Sequence, residues 1–163
     1  DKFPLLRSNF IKSIIIKIFS SCSHIYFINK DFNKINQIIS YFDKLSNSLN
    51  INETTPFYEL VLKVKGDLFF YQNDYNNSIS FYSKSAQIMS DKNPKKAIVY
   101  FNLGVLYYYN NDKIRSIENL QRAAAYFKKS EEEKYSFEFH KRNNMLTKKF
   151  NLTNALINKI QTN

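Results

Sequence analysis

The sequence predicts an all-α protein built from antiparallel helical hairpins, on three observations. Apolar residues recur at three-four spacing along most of the chain, which is the period of a helix with one buried face. Two glycines and three prolines in 163 residues are too few for the turns of a sandwich or a barrel. A stretch that opens at Gly66 returns at Gly104, 38 residues later, and polar turns separate the periodic segments.

Eight helices are expected in chain order. The first two cover 5–28 and 32–49, and an Asn-Lys-Asp turn separates them. Four more cover about 56–72, 74–90, 94–109 and 112–129. The four residues 130–133 have capping-box spacing for a seventh helix that ends near Phe150, and 151–160 can form a short eighth.

Polar residues mark where these helices begin. Thr55 and Asn93 each precede a proline, and we expect them to cap the helices that follow. Asp74 and Asp112 each follow an asparagine and are expected to begin the return helices of the two hairpins.

The two glycines lie in the middle of predicted helices, where glycine costs about 1 kcal/mol relative to alanine. We therefore expect a neighbouring helix to approach each of them closely. Aromatic residues follow three positions later, at Phe69 and Tyr107, and the return helices bring Ser78 and Ser116 to the crossing. Because such a hairpin cannot bury both faces alone, repeated copies are expected to stack.

At these residues the sequence resembles the tetratricopeptide repeat family. The second copy carries the signature at Tyr100, Leu103, Gly104, Tyr107, Ser116, Leu120 and Ala123. The first carries it at Leu62, Gly66, Phe69, Ser78, Tyr82 and Ser85, but has Lys65 where leucine is usual. A weaker copy upstream offers Phe19, Ser23 and Tyr26, with Ile35 and Phe42 in place of small residues.

The resemblance implies a right-handed superhelix of stacked hairpins as a single domain over 1–163. The repeats would cover 16–49, 59–92 and 97–130, with 131–163 as a capping or degenerate pair. The repeat spacings of 43 and 38 exceed the usual ~34 residues, so the return helices are expected to be longer. An irregular helical bundle without a groove is the alternative.

In this family the first helix of each pair lines a concave groove. The spacing places these candidate ligand-binding residues there: His24, Lys63, Asp67, Phe70, Tyr71, Phe101, Asn102, Val105, Tyr108 and Tyr109. Aromatic rings can bury the side chains of an extended peptide, and the Asn102 amide can both donate to and accept from its backbone. The carboxylate clamp of some family members is not expected, since Asp67 stands where asparagine is required.

The segment around Asn102 also resembles the peptide-sensing domains of Gram-positive quorum-sensing regulators (the PlcR, Rgg and Rap group). That resemblance implies a cytoplasmic sensor that binds a peptide or protein segment, with nucleic acid bound only through a domain outside this chain. Two alternatives stay open: a scaffold repeat of a eukaryote with an AT-rich genome, and a basic domain that binds nucleic acid through 92–149. The last reading rests on a net charge of +7 in 91–163, where 14 Lys and Arg face 7 acids.

We expect no enzymatic activity, metal or cofactor. Cys22 and His24 are close in sequence, but no third orienting residue can be named, and the chain has no glycine-rich loop. The apolar stretch 10–28 has the length of a membrane span, but Lys12, Lys17 and His24 interrupt it, so we interpret it as a buried helix of a soluble protein. A homodimer is left open.

Overall fold

The computed structural model describes residues 3–93, 95–132 and 140–162, with side chains described at 8–93, 95–129 and 148–162. These residues form seven helices and no strand, which confirms the all-α prediction. The helices are α1 Phe3–Ile28, α2 Phe32–Leu49, α3 Tyr58–Tyr71, α4 Tyr75–Ile88, α5 Lys96–Tyr109, α6 Lys113–Glu132 and α7 His140–Thr162.

The chain divides into two compact units. Unit 1 is Asp1–Ile88 and holds α1 to α4, whereas unit 2 is Met89–Asn163 and holds α5 to α7. Within unit 1, α3 packs on α4 and also contacts α1 and α2, and within unit 2, α6 packs on both α5 and α7.

Three helix-to-helix turns share one geometry. Lys30, Asn73 and Asn111 have left-handed backbone with φ of 54°, 59° and 59°. In each turn the left-handed N–H donates three residues back, and the following aspartate N–H donates five residues back, which is the Schellman pattern that ends a helix. The turns recur at the spacings of 43 and 38 seen in the sequence, so the weak upstream copy forms the same hairpin turn as the two strong copies.

An aspartate begins the second helix of every hairpin. The carboxylates of Asp31, Asp74 and Asp112 each accept a hydrogen bond from the backbone N–H three residues later, at 3.0–3.2 Å. This is the N-cap geometry expected for Asp74 and Asp112.

The caps expected at Thr55 and Asn93 differ from the structure. Helix α3 begins after Phe57, which is left-handed with φ 71° and makes no side-chain cap. The Thr55 hydroxyl accepts from the Asn52 N–H at 3.1 Å, so it closes the preceding turn instead. The Asn93 side chain accepts from the N–H of Lys95, two residues later, which is a cap-type hydrogen bond, but α5 itself begins only at Lys96. Pro94 lies outside the described residues.

One helix, α7, replaces the expected break near Phe150. No glycine or proline interrupts 140–162, and apolar contacts continue at three-four spacing through Phe150, Thr153, Ile157 and Ile160. Residues 151–160, expected as a separate short helix, instead continue α7. The helix start expected at Ser130 is wrong, because α6 continues through this residue to Glu132; the side chains of the expected capping box lie outside the described residues.

The cores follow the helix stripes. In unit 1 the buried core consists of Ile16, Phe19, Phe27, Ile35, Phe42, Ile51, Leu60, Val61, Val64 and Leu68. In unit 2, Phe127 packs with two alanines of α5 and α6, and Leu120 packs with Ile157 and Ile160 of α7. Helix α1 was expected to be buried, but only one of its faces is; the opposite face is exposed. By length and composition alone, Ser8–Ile28 could cross a membrane.

Candidate functional site

A serine-to-glycine contact holds both repeated hairpins together. The Ser78 hydroxyl donates to the Gly66 carbonyl at 2.8 Å, and the Ser116 hydroxyl donates to the Gly104 carbonyl at 2.7 Å. Two turns further, Ser85 donates to the Glu59 carbonyl at 2.9 Å. Both serines and both glycines of the two serine-to-glycine pairs are buried. The donor serine that is later in α4 bonds the carbonyl that is earlier in α3, so the two helices run antiparallel.

The glycines allow these helices to approach. A Cβ atom at Gly66 would lie 3.1 Å from the Tyr82 ring, and one at Gly104 would lie 2.5 Å from the Leu120 side chain. In the first hairpin the buried Ser23 takes the glycine place and donates to its own helix at Phe19, while Ile35 is fully buried in the serine place. The first hairpin therefore lacks the serine-to-glycine hydrogen bond that the two later hairpins share.

The same face of α3 and α5 lies beside the serine-to-glycine contact. In α3 it carries Lys63, Asp67 and Phe70, which we call the α3 face, and all three are half-buried. The Lys63 Nζ lies 2.6 Å from the Asp67 carboxylate, which also accepts the Tyr82 hydroxyl. Asp67 thus neutralises Lys63 within the protein, so Lys63 is engaged where a carboxylate clamp would need a free cation.

Two other candidate residues of unit 1 lie elsewhere. Tyr71 stacks on Phe27 of α1 at 5.3 Å and packs against Phe32 of α2 at 5.1 Å, so it belongs to the contact between these helices, although its side chain is half exposed. His24 is exposed on α1.

The equivalent α5 face carries Phe101, Val105 and Tyr108, 38 residues after their counterparts in α3. Phe101 packs against both core clusters of unit 2, Val105 is half-buried, and Tyr108 is exposed. Tyr109 is also exposed and meets Tyr108 edge-on at 6.3 Å. The face therefore changes from buried to open along the helix.

Asn102 lies beside the α5 face. It is half-buried and interacts with another group of the protein. Its counterpart in α3 is Val64, which is buried in the core formed with α1. The 38-residue repeat thus relates Asn102 to a residue that packs in the core of unit 1. This favours a role for the Asn102 amide in packing within the protein over a role in ligand binding.

The signature residues occupy the interiors of their hairpins. Leu103, Tyr82 and Ala123 are buried, and Phe69, Tyr100 and Tyr107 are half-buried. Phe69 stacks on Phe81 across α3 and α4 at 5.4 Å. Lys65, the departure from the family pattern, has its Nζ 2.8 Å from the Asp43 carboxylate of α2.

Sequence reasoning missed a ladder of tyrosines and cations along the α5–α6 hairpin. The Arg115 guanidinium lies 5.8 Å from the Tyr107 ring centre, and the Arg122 guanidinium lies 5.7 Å from that of Tyr100. Tyr100 also stacks on Tyr126 of α6 at 5.6 Å. The signal was present in the sequence, because both the arginines and their tyrosines are spaced by seven residues, which is two helical turns.

Lys96 forms a second unforeseen cluster. It is buried, and its ammonium donates to the Met89 carbonyl at 2.8 Å and to the Asp91 carboxylate at 2.7 Å. The Tyr126 hydroxyl donates to the same carboxylate at 2.8 Å. Burial, followed by this hydrogen bond to Asp91, raises the pKa of Tyr126 to about 12, while the Lys96 and Tyr126 hydrogen bonds lower the pKa of Asp91.

In the part of the chain with described side chains, no group of three or more His, Cys, Asp or Glu could hold a metal ion. Cys22 is half-buried. In comparisons with known proteins, no family model matches the chain and no curated protein matches it.

Proposed function

We propose that this chain is a non-enzymatic helical-repeat protein that binds an extended peptide or protein segment, as the sensor part of a bacterial regulator in the cytoplasm. One observation carries the proposal: the same hairpin, with the same turn and the same serine-to-glycine contact, is built twice, and each copy leaves one face of its first helix outside that contact.

The chemistry of these faces suits a peptide. Tyr108 and Tyr109 offer exposed rings on which apolar side chains can be buried, with polar hydroxyls at their edges. The Lys63–Asp67 pair of the α3 face offers polar atoms without net charge, so it does not select for a charged ligand. An extended backbone also needs hydrogen-bond partners, and an amide such as Asn102 can supply both a donor and an acceptor.

The experiment selects peptides from a random displayed library against the purified chain and measures their affinities by titration. We expect Tyr108→Ser with Tyr109→Ser to weaken binding by about ten- to a hundredfold, because buried aromatic contacts dominate such interfaces. Tyr41→Ser is the matched control, since Tyr41 is a 70% exposed tyrosine on α2. If no peptide is enriched, or if the double variant binds as tightly as wild type, the peptide-binding function is wrong.

Asn102→Ala tests the role of the amide separately. If Asn102 holds the peptide backbone, its loss weakens affinity by about ten- to a hundredfold and leaves the melting temperature nearly unchanged. If Asn102 packs as Val64 does, the variant instead melts earlier and binds the peptide normally. The second result would remove Asn102 from the site but not the tyrosines.

The tyrosine–arginine ladder favours a second candidate function, nucleic-acid binding by unit 2. Arginine next to a partly exposed aromatic ring combines phosphate attraction with a surface on which a base can stack. The exposed cations Arg115, Arg122 and Lys129 follow at seven-residue spacing along α6, so they share one side of the helix. Alternatively, these contacts only stabilise the hairpin.

Binding of a labelled single-stranded uridine oligonucleotide at several salt concentrations tests this candidate. Arg115→Gln with Arg122→Gln is expected to weaken binding and to flatten its salt dependence, because each lost phosphate contact lowers the slope by about 0.7. Lys30→Gln with Lys44→Gln, two exposed lysines of unit 1, is the matched control. Absence of salt-dependent binding by the wild-type chain would exclude this function.

A further inference from the structure

Helix α1 has an exposed isoleucine stripe directly opposite its buried face. The stripe consists of Ile11, Ile14, Ile18, Ile25 and Ile28, which are 39–67% exposed. The opposite face holds Ser13, Ile16, Phe19, Ser23 and Phe27, which are buried in unit 1. At 100° per residue the centres of the two faces are about 180° apart, so the core of unit 1 cannot cover both.

The stripe is large for a surface that stays in water. With the neighbouring Phe10, which is 67% exposed, it presents roughly 600 Å² of apolar side chain, at the upper end of what a monomeric protein exposes. Two such patches would bury about 1,200 Å², which reaches the lower bound of a specific protein interface.

The spacing of the stripe is the same in both directions. Its positions 11, 14, 18, 21, 25 and 28 are separated by three, four, three, four and three residues, and Ser21 is the one polar position. An antiparallel copy can therefore match every position about a two-fold axis: Ile11 against Ile28 of the partner subunit, Ile14 against Ile25 of the partner subunit, and Ile18 against Ser21 of the partner subunit.

The two cations of α1 whose side chains the structure describes, Lys12 and Lys17, favour a protein partner over a membrane surface. A helix that lies on an anionic membrane needs free cations along the edges of its apolar face. Here Lys12 donates to the Asn50 carbonyl at 3.2 Å, and Lys17 lies over the Phe57 ring at 4.0 Å. Both are held by unit 1.

We propose that the isoleucine stripe of α1 is the interface of a two-fold homodimer in which the two α1 helices pack antiparallel. The partner is a second copy of this chain. This surface lies on α1 and is separate from the α5 face, so the dimer does not depend on peptide binding.

The first test is the mass of the full chain by analytical ultracentrifugation across a concentration series. The wild-type chain is expected to be a dimer at micromolar concentration, and Ile18→Glu is expected to raise the dimer dissociation constant by about a hundredfold or more, because the charge would be buried at the interface. Ile114→Glu is the matched control, since Ile114 is a 74% exposed isoleucine on α6. Circular dichroism melts establish that both variants fold.

The second test fixes the orientation. In a Cys22→Ser background, Ile11→Cys and Ile28→Cys variants are mixed and oxidised; the antiparallel pair predicts disulfides mainly between the two variants, and a parallel pair predicts them within each variant. A wild-type chain that stays monomeric, an Ile18→Glu chain that dimerises like wild type, or disulfides within each variant would overturn the proposal. So would a monomer that binds phosphatidylserine vesicles and loses that binding with Ile18→Glu, which would assign the stripe to a membrane.

Discussion

The two glycines have the same role but different tolerances. An added Cβ at Gly66 meets only the ring of Tyr82, at 3.1–3.2 Å, so a shift of a few tenths of an ångström would accommodate it. An added Cβ at Gly104 meets the Leu120 side chain at 2.5 and 2.8 Å and the Ser116 carbonyl oxygen at 3.1 Å. Leu120 is fully buried, so it has little room to move.

We therefore predict that alanine substitution changes the stability of the fold differently at Gly66 and at Gly104. Gly66→Ala gains up to about 1 kcal/mol of helix propensity, which roughly offsets the contact with Tyr82. Gly104→Ala is expected to destabilise unit 2 by about 1–3 kcal/mol, because the overlap with Leu120 exceeds that gain. Hydrogen exchange of the α3 amides reports the stability of unit 1, and that of the α5 amides reports the stability of unit 2, in one sample.

Leucine is expected to destabilise the fold at both positions, because neither crossing has room for a branched side chain. The double variant Gly104→Leu with Leu120→Ala is the control for Gly104, since Leu120→Ala removes the side-chain atoms that the new Cβ meets. Equal effects of alanine at Gly66 and Gly104 would contradict the assigned contacts.

At the scale of elements, the segment before α5 is tied to α6 by side chains. Asp91 accepts from both Lys96 at the start of α5 and Tyr126 of α6, and Lys96 also bonds the Met89 carbonyl. Sequence periodicity predicts the two helices but does not reveal this link, because a lysine in an apolar run gives no sign of where its ammonium ends.

The raised pKa of Tyr126 makes this link sensitive to alkali. Folded unit 2 holds the phenol proton more tightly than the unfolded chain, in which tyrosine titrates near 10. The contribution to stability is therefore complete below pH 10 and is lost as pH rises through about 12. Subtracting the tyrosinate absorbance of Tyr126→Phe from that of wild type should leave one titration near 12.

Asp91→Asn should bring this pKa only part of the way back, because burial, the larger cause, is unchanged. A difference titration near 10 in the wild-type chain would show that the hydroxyl is solvated and that the link to Asp91 does not form.

At the scale of the whole molecule, the positive charge is uneven. Unit 1 has 10 Lys and Arg against 7 acids, whereas unit 2 has 14 against 7, so most of the net charge of +10 belongs to unit 2. The exposed apolar surface of α1 belongs to unit 1. The two units therefore carry different surface chemistry, which matches the assignment of the dimer stripe to unit 1 and of the basic ladder to unit 2.

Much of the fold could be predicted from periodicity and turn chemistry. The six helices α1 to α6 lie close to their expected ranges, and both glycines lie at helix crossings. The start of α3 and the continuity of α7 could not be predicted, because Thr55 had a competing local hydrogen bond and the polar run after Phe150 was compatible with either a cap or an exposed helix face.

The candidate site was less accessible to sequence reasoning. The spacing grouped Lys63, Asp67 and Tyr71 as one strip, but Tyr71 packs against α1 and α2, and Lys63 is bound by Asp67. Spacing gives the angle of a residue around its own helix, whereas a ligand site depends on which neighbouring helix lies at that angle.

The sequence by itself determined the helices, their hairpin turns and the places where small residues let helices meet, because these depend on local propensity, hydrogen bonds within a few residues, and the repeat of 38. Only the tertiary structure decided that Lys96 is buried, that Asp67 also accepts the Tyr82 hydroxyl, and that α1 has one covered and one uncovered apolar face. Those features depend on side chains that are distant along the chain or on the packing of neighbouring helices, and no local pattern specifies them.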